Sequence, residues 1–240
     1  MKNINYKPVK KLLSKGSTNA KTSKNEIETF ILYLAPYNQN NKGKNICQSA
    51  SKGCIESCLY LAGRGAFSNV QKSRINKTNY FVNDKIKFLN QLANEIVKET
   101  NKAQKKGNKV VFRLNGTSDL DFIYMLNKHV NLDVTTLKNT ASFYDYTKSL
   151  PRAKRYKTHQ NYTVTFSKSE TNQKETFEAL KYGLNVAAVF ANDLPKKYKG
   201  FKVVDGDKSD LEMIKFKNVI LGLKAKGNAK KDTTGFVIQN

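Results

Sequence analysis

Two histidines, three cysteines and five arginines are spread over 240 residues, and each scarcity excludes something. No apolar run approaches the ~18 residues that a membrane span needs. The basic N-terminal stretch MKNINYKPVKKLLSKGSTNAKTSKN holds no continuous apolar segment, so it does not read as a signal peptide. No P-loop, H-E-x-x-H or G-x-S-x-G pattern occurs anywhere. His129 and His159 form no metal-spaced pair. All three thiols fall between Cys47 and Cys58, and an odd set cannot close into disulfides. Clustered cysteines without a secretion signal point to a reducing compartment and to metal or redox chemistry.

What is plentiful is lysine and apolar bulk. Hydrophobic residues make up 39%, with thirteen Phe and twelve Tyr, enough for a sizeable core. The formal net charge is +24, which suggests a polyanionic partner. Nearly all of that charge is lysine, and asparagine is abundant too, as an AT-rich genome produces at neutral surface positions. Arginine, the usual choice for bidentate recognition of phosphates and bases, is rare. Two stretches carry a nucleic-acid reading. SLPRAKRYKTHQNY interleaves Arg152, Lys154, Arg155 and Lys157 with Tyr156 and Tyr162, and GLKAKGNAKK offers Lys224 and Lys226. A solvated lysine-rich loop explains the first almost as well.

Along the chain, residues 1–25 read as a basic arm or an early hairpin and 26–240 as a single α/β domain. TFILYLAP (29–36) suits a strand buried on both faces. Helices are expected over 68–81 and 84–107, the second with Ile86, Leu89, Leu92, Ala93 and Ile96 at helical spacing. Strands at 109–115, 141–147, 161–167, 185–191, 201–207 and 218–227 then alternate with helices at 119–130 and 172–183. That alternation argues for parallel βαβ units. Ligands of such folds bind at the carboxyl ends of strands. Arg113, Asp119, Asp145, Lys148, Glu170, Asp205 and Asp207 all fall there, although strand ends are polar in any case. Asp205, Asp207 and Asp210 read better as a polar turn around Gly206 than as a cation loop. In FYDYTK, alternation sets Asp145 opposite Tyr144 and Tyr146, and a salt bridge is the simplest role for it.

The cysteine spacing is Cys47-x6-Cys54-x3-Cys58. If SKGCIESCLYLA enters a helix, Cys54 and Cys58 share a face, and Gly53 lets the loop turn so that Cys47 reaches them. Three readings stay open. The thiols could be buried small apolar groups, three ligands of a structural zinc lacking an evident fourth, or the thiolates of an iron–sulfur cluster with one open iron. In LAGRG, Arg64 between Gly63 and Gly65 would suit either an anion contact or a helix cap.

A strand, a three-cysteine loop and then further βα units resemble the radical S-adenosylmethionine superfamily. The resemblance implies a partial (β/α)6 TIM-like barrel with a mainly parallel sheet. It also implies a [4Fe–4S] cluster on Cys47, Cys54 and Cys58, with S-adenosylmethionine capping the open iron. The cysteine spacing departs from the superfamily's C-x3-C-x2-C, and the Asn115–Asp119 segment matches its glycine-rich cofactor motif only loosely. More broadly, CxxSxxGCxxxCLYxAGRG, FRLNGTSD, FYDYTK, TFSKSE, VVDGD and GLKAKGNAKKDTTGFV resemble a tailed-phage protein family with a three-cysteine motif. That implies expression in the cytoplasm of an infected bacterial host.

The expectation is therefore an iron–sulfur protein whose cluster sits at the barrel mouth. Arg113, Asn115, Asp119, Asp145 and Lys148 would line the catalytic site, and Arg64, Gly116, Ser167 and Glu170 would contact the cofactor. The alternative is a basic nucleic-acid-binding phage protein with a structural metal such as zinc, contacting its partner through Arg152, Arg155, Lys157, Lys224 and Lys226. Neither reading calls for a membrane, and neither names a substrate or an oligomeric state.

Overall fold

The computed structural model describes residues 6–16, 27–208 and 215–239. The chain opens with β1 (Leu13–Lys15) and β2 (Glu28–Leu32), then α1 (Lys52–Glu56), α2 (Ser68–Asn83) and α3 (Lys85–Lys105). It continues through β3 (Val110–Arg113), α4 (Phe122–Val130), β4 (Ala141–Thr147), α5 (Leu150–Arg155), β5 (Tyr162–Ser167), α6 (Gln173–Lys181) and β6 (Val186–Phe190). It ends with β7 (Lys197–Tyr198), β8 (Phe201–Asp205), β9 (Ile220–Lys224) and β10 (Val237–Ile238).

The described strands form one open sheet in the order β1-β2-β3-β4-β5-β6-β9-β8-β7, with β10 also paired to β6. From β2 to β8 along this path every pairing is parallel; β1 and β7 are antiparallel edges. The two edges stay apart, so the sheet does not close into a barrel. Each strand from β2 to β6 lies beside its predecessor in sequence. Right-handed crossovers between successive neighbours put their helices on one face.

That face is the core. Register aligns Phe30, Phe112 and Phe143 across three strands, stacked at 5.9 and 5.2 Å between ring centroids. Phe88, Leu89, Leu92 and Ile96 of α3, Phe122 and Leu126 of α4 and Leu180 of α6 pack with them, all fully buried. Each such side chain contributes about 1.5–3 kcal/mol of burial. The α3 stripe is centred on Phe88, Leu92 and Ile96, whereas Ile86 is 48% exposed. Ile86 lies roughly a third of a turn away from that centre, so the expected stripe was rotated.

The described part of the N-terminal arm is held firmly. Leu12 and Leu13 are buried, Tyr6 stacks on Tyr80, and Glu95 accepts from the amides of both leucines. The buried Lys77 ammonium donates to the Leu12 carbonyl. Of the two expectations for residues 1–25, the hairpin describes Leu13–Lys15, which pairs with β2.

The stretch read as a basic loop is the helix α5. Ser149 caps it by accepting from the Arg152 amide, and proline occupies its first turn. Arg152 points inward, 5% exposed, with Nη1 2.7 Å from Asp119, Nη2 2.6 Å from the Tyr162 hydroxyl and 3.6 Å from Asp145. Asp145 is on the helix side, beside Phe143 and Val164, and accepts from the Asn115 amide, the Asn115 side chain and Tyr162. Burial pushes the Asp145 carboxyl up, against the opposing pull of Arg152 and Asn115.

Removing Asp145 leaves Arg152 its pair with Asp119, whereas removing Arg152 strands the Asp145 carboxyl in the interior. Arg152→Met should therefore destabilise the protein by about 3–5 kcal/mol and Asp145→Leu by less. Urea unfolding of Asp145→Leu, Arg152→Met and the double variant checks this: the double should cost clearly less than the sum of the singles.

Candidate functional site

Opposite the helices, side chains of the other register (Arg113, Tyr146, Ser167, Ala187, Val189 and Leu223) form the floor of a cavity of about 1230 Å³. Its walls are the long connection after β2, the first half of α2 and the segment after β9. It lies toward the carboxyl ends of the strands, where the connections following β2, β3, β4 and β5 all reach it.

All three cysteines line this cavity and all are half-buried. Cys47 is fixed by backbone geometry. The buried Ile46 exchanges amide bonds with Tyr37 and Asp119, and the Tyr37 amide donates to the Cys47 sulfur at 3.4 Å. Burial pushes the Cys47 thiol up to about 12. Cys54 sits on α1, whose cap Ser51 accepts from the Cys54 amide. Cys58 is not on that helix. α1 ends at Glu56, and Cys58 is extended (φ −61°, ψ 130°) before a 3-10 turn, Leu59–Leu61. A turn, rather than an i, i+4 helical face, thus carries Cys58 to the cavity. Burial raises the Cys58 thiol, while the Tyr60 amide, Lys148 and Arg74 draw it down. Among the described residues no three His, Cys, Asp or Glu side chains stand close enough to hold a metal ion. Neither histidine lines the cavity.

The expected rim divides. Arg113, Asn115, Gly116, Asp119, Lys148, Arg64 and Ser167 line the cavity; Asp145 and Glu170 do not. Asn115 is occupied structurally: its Oδ1 accepts from Ser118 and the Leu120 amide, and its Nδ2 donates to the Leu120 carbonyl and Asp145. Asp119 accepts from the Lys148 amide and Arg152. These bonds set the loop that carries Gly116, where a Cβ would come within 2.5 Å of the Tyr33 ring. Gly65 likewise has no room for a side chain, since a Cβ there would sit 2.6 Å from the Tyr60 carbonyl oxygen, and Gly63 has φ +54°. Both LAGRG glycines are therefore demanded by the backbone path.

Glu170 holds the cysteine segment from behind. It accepts from Ser51 Oγ and from the Gly53 amide, both at 2.7 Å. Gly53 itself packs against Thr234 and Phe236 of the C-terminal segment so closely that a Cβ would sit 2.1 Å from Thr234 Oγ1. Burial opposes the charged form of Glu170, but the bonds from Ser51 and Gly53 outweigh it and hold the carboxyl below the ordinary glutamate value.

The residues of the nucleic-acid reading are engaged elsewhere. Arg152 is interior, Arg155 pairs with Asp121 at 3.0 Å, and Lys157 donates to the Tyr182 carbonyl. Lys224 pairs with Asp193 at 2.8 Å and Lys226 with Asp207 at 2.6 Å, although both line the cavity. Asp205 accepts from the Asp207 amide in a tight turn, as expected; Asp210 lies outside the described residues. Several cavity residues were not singled out as site residues from the sequence, among them Arg74, Lys168 and Tyr33. Lys168 follows Ser167 at a strand end, the one available hint.

Because the folded-state pKa of Glu170 is depressed, its hold on α1 is fully present above the ordinary glutamate value and is lost as pH falls through its lower folded-state pKa. Reaction of Cys54 with 4,4′-dithiodipyridine, taken relative to a free thiol at the same pH so that the falling thiolate fraction cancels, should accordingly quicken on acidification, and Glu170→Ala should show the fast relative rate already at neutral pH. An identical rate in Glu170→Ala would refute the clamp.

No helix among the described residues is long and apolar enough to cross a membrane. No curated protein and no solved structure matches the chain. A family model, Gene product 88, matches residues 10–240, and with nearly the whole sequence covered the chain belongs to that phage-type family.

Proposed function

We propose that this protein carries a thiolate-bound metal centre, a [4Fe–4S] cluster on Cys47, Cys54 and Cys58, at one wall of a substrate cavity. The observation behind it is that all the chain's cysteines reach a single cavity from two separate local structures, a loop and a short helix–turn. Buried thiols packed as small apolar groups would be expected to point into a core, not to line an open space.

The donor set suits such a group. Thiolates are the usual ligands of iron–sulfur clusters, and three leave one iron open to solvent or substrate. Backbone amides donating to sulfur, as those of Tyr37 and Tyr60 do, stabilise thiolate and tune cluster potential. Cys47, Cys54 and Cys58 would hold such a group only if their sulfurs, which are not already gathered, came together around it. The protein's part is to hold the 47–58 segment through Glu170, keep the cavity wall basic with Lys148 and Arg113, and shield the thiols from bulk water. Five parallel strands in sequence order, β2 to β6, support a partial (β/α) barrel as the framework, although β9 and β8 then follow out of sequence order. S-adenosylmethionine finds less support. Asn115 and Asp119, where the resemblance would seek contacts to its amino group, spend their polar atoms on loop geometry.

Anaerobic reconstitution with iron and sulfide tests the proposal. About four iron and four sulfide per chain are expected, lost in Cys54→Ala. About one zinc per chain and no iron uptake would replace the cluster by a structural metal. Since burial keeps Cys47 protonated up to about pH 12, metal must displace its proton. Apparent affinity for Zn²⁺ or Co²⁺ should therefore rise steadily from pH 6 to pH 8, followed by the thiolate-to-cobalt absorption band.

A further inference from the structure

The cavity wall holds eight basic side chains against two carboxylates. Several of the basic groups are positioned by rings instead of by acids. The Arg74 guanidinium lies over Tyr33 at 4.5 Å and Tyr60 at 5.6 Å, and its buried Nη1 has no hydrogen-bond partner. Lys148 reaches over Phe236 at 5.5 Å. Lys168 is only 7% exposed, and its ammonium has one long contact, 3.5 Å to the Ser169 carbonyl. Glu170 is near enough to act on it electrostatically, but both Glu170 oxygens are held by Ser51 and Gly53. The two cavity carboxylates are likewise committed, Asp119 to Arg152 and Asp207 to Lys226.

Burying cations without carboxylates is costly unless an anion completes them. Ring contacts orient a guanidinium but leave its charge in place. Thiolates account for part of this, since Lys148 and Arg74 both act on Cys58. Three thiolates and two carboxylates still leave an excess of positive charge on the wall. Lys148 and Lys168 follow neighbouring parallel strands, β4 and β5, and Arg74 faces the same space from α2.

We infer that the cavity binds a phosphorylated small molecule, its phosphates taken by Arg74, Lys148 and Lys168. A guanidinium and two ammonium groups lining one cavity match a phosphate's several acceptor oxygens. This names the substrate class for the cavity of the cluster reading and rests on that cavity being the functional site, though not on the metal itself.

Calorimetric titration of the full chain with inorganic pyrophosphate, ATP and ribose 5-phosphate tests it. Pyrophosphate should bind, more weakly at higher salt. Lys168→Met and Arg74→Gln should each weaken it by roughly tenfold or more, the loss expected for one charge-assisted bond. Lys102→Gln, on the outer face of α3, should not change it. Preferential binding of ATP marks a nucleotide, and of ribose 5-phosphate a sugar phosphate; either supports the inference. If Arg74→Gln fails to fold by circular dichroism, Lys168→Met and Lys148→Met carry the test. Pyrophosphate binding that ignores these substitutions, or no binding at low salt, overturns the inference. So does binding of a short oligothymidylate without any response to pyrophosphate. Cys54→Ser separates the two readings: loss of iron with pyrophosphate binding intact would leave this inference standing, and iron uptake without pyrophosphate binding would leave only the cluster.

Discussion

A parallel sheet must be covered on both faces, because its backbone and its apolar strands tolerate little water. Here the crossovers between successive neighbours spend the helices on one side. The other face has to be covered by chain that is not part of the βα repeat. Two segments do this: the long connection between β2 and α2, and the tail after β9, which returns to pair with β6 through β10. They close over the sheet without filling it, and the remaining space is the cavity. The cysteines, the LAGRG glycines and the basic lining all belong to this arrangement.

The two covering segments are locked to each other and to the strand ends by a few polar contacts. Gly53 nests against Thr234 and Phe236, and a Cβ at Gly227 would sit 3.0 Å from that of Ala62. Glu170, from the connection after β5, binds the start of α1. On the helix side, Asp145 and Arg152 tie the loops after β3 and β4 through Asn115 and Asp119. Residues that seemed to be site chemistry thus divide into those that face the cavity and those that hold its walls. Lys148 does both, its amide bonding Asp119 and its ammonium reaching into the space.

Much of the framework was legible because it is local. Strand Ala141–Thr147 and helix Phe122–Val130 follow from period and turn residues alone. The helix over 150–155 was not legible, because Lys, Arg and Tyr crowd a segment whose only helix signals are Ser149 and Pro151. The identities of the cavity cations were half legible. Arg113 and Lys148 end strands, and strand ends point toward a ligand; Arg74 sits mid-helix, with no pattern to distinguish it from a solvated arginine.

The sequence by itself determined that the chain alternates strands and helices, that its thiols are odd and clustered, and that they follow the first parallel strand. Local propensity and short spacing suffice for each. Only the tertiary structure decided which charges meet. Asp145 was expected on the rim and turned inward to Arg152, since strand alternation fixes opposite faces but cannot say which one the helices cover. Arg152 was expected on a surface loop and became a core cation because it lies on the buried face of α5, a helix the residue pattern did not reveal. The cavity's excess of positive charge was equally hidden. It arises from groups distant in sequence that share one space only when the sheet's uncovered face is roofed.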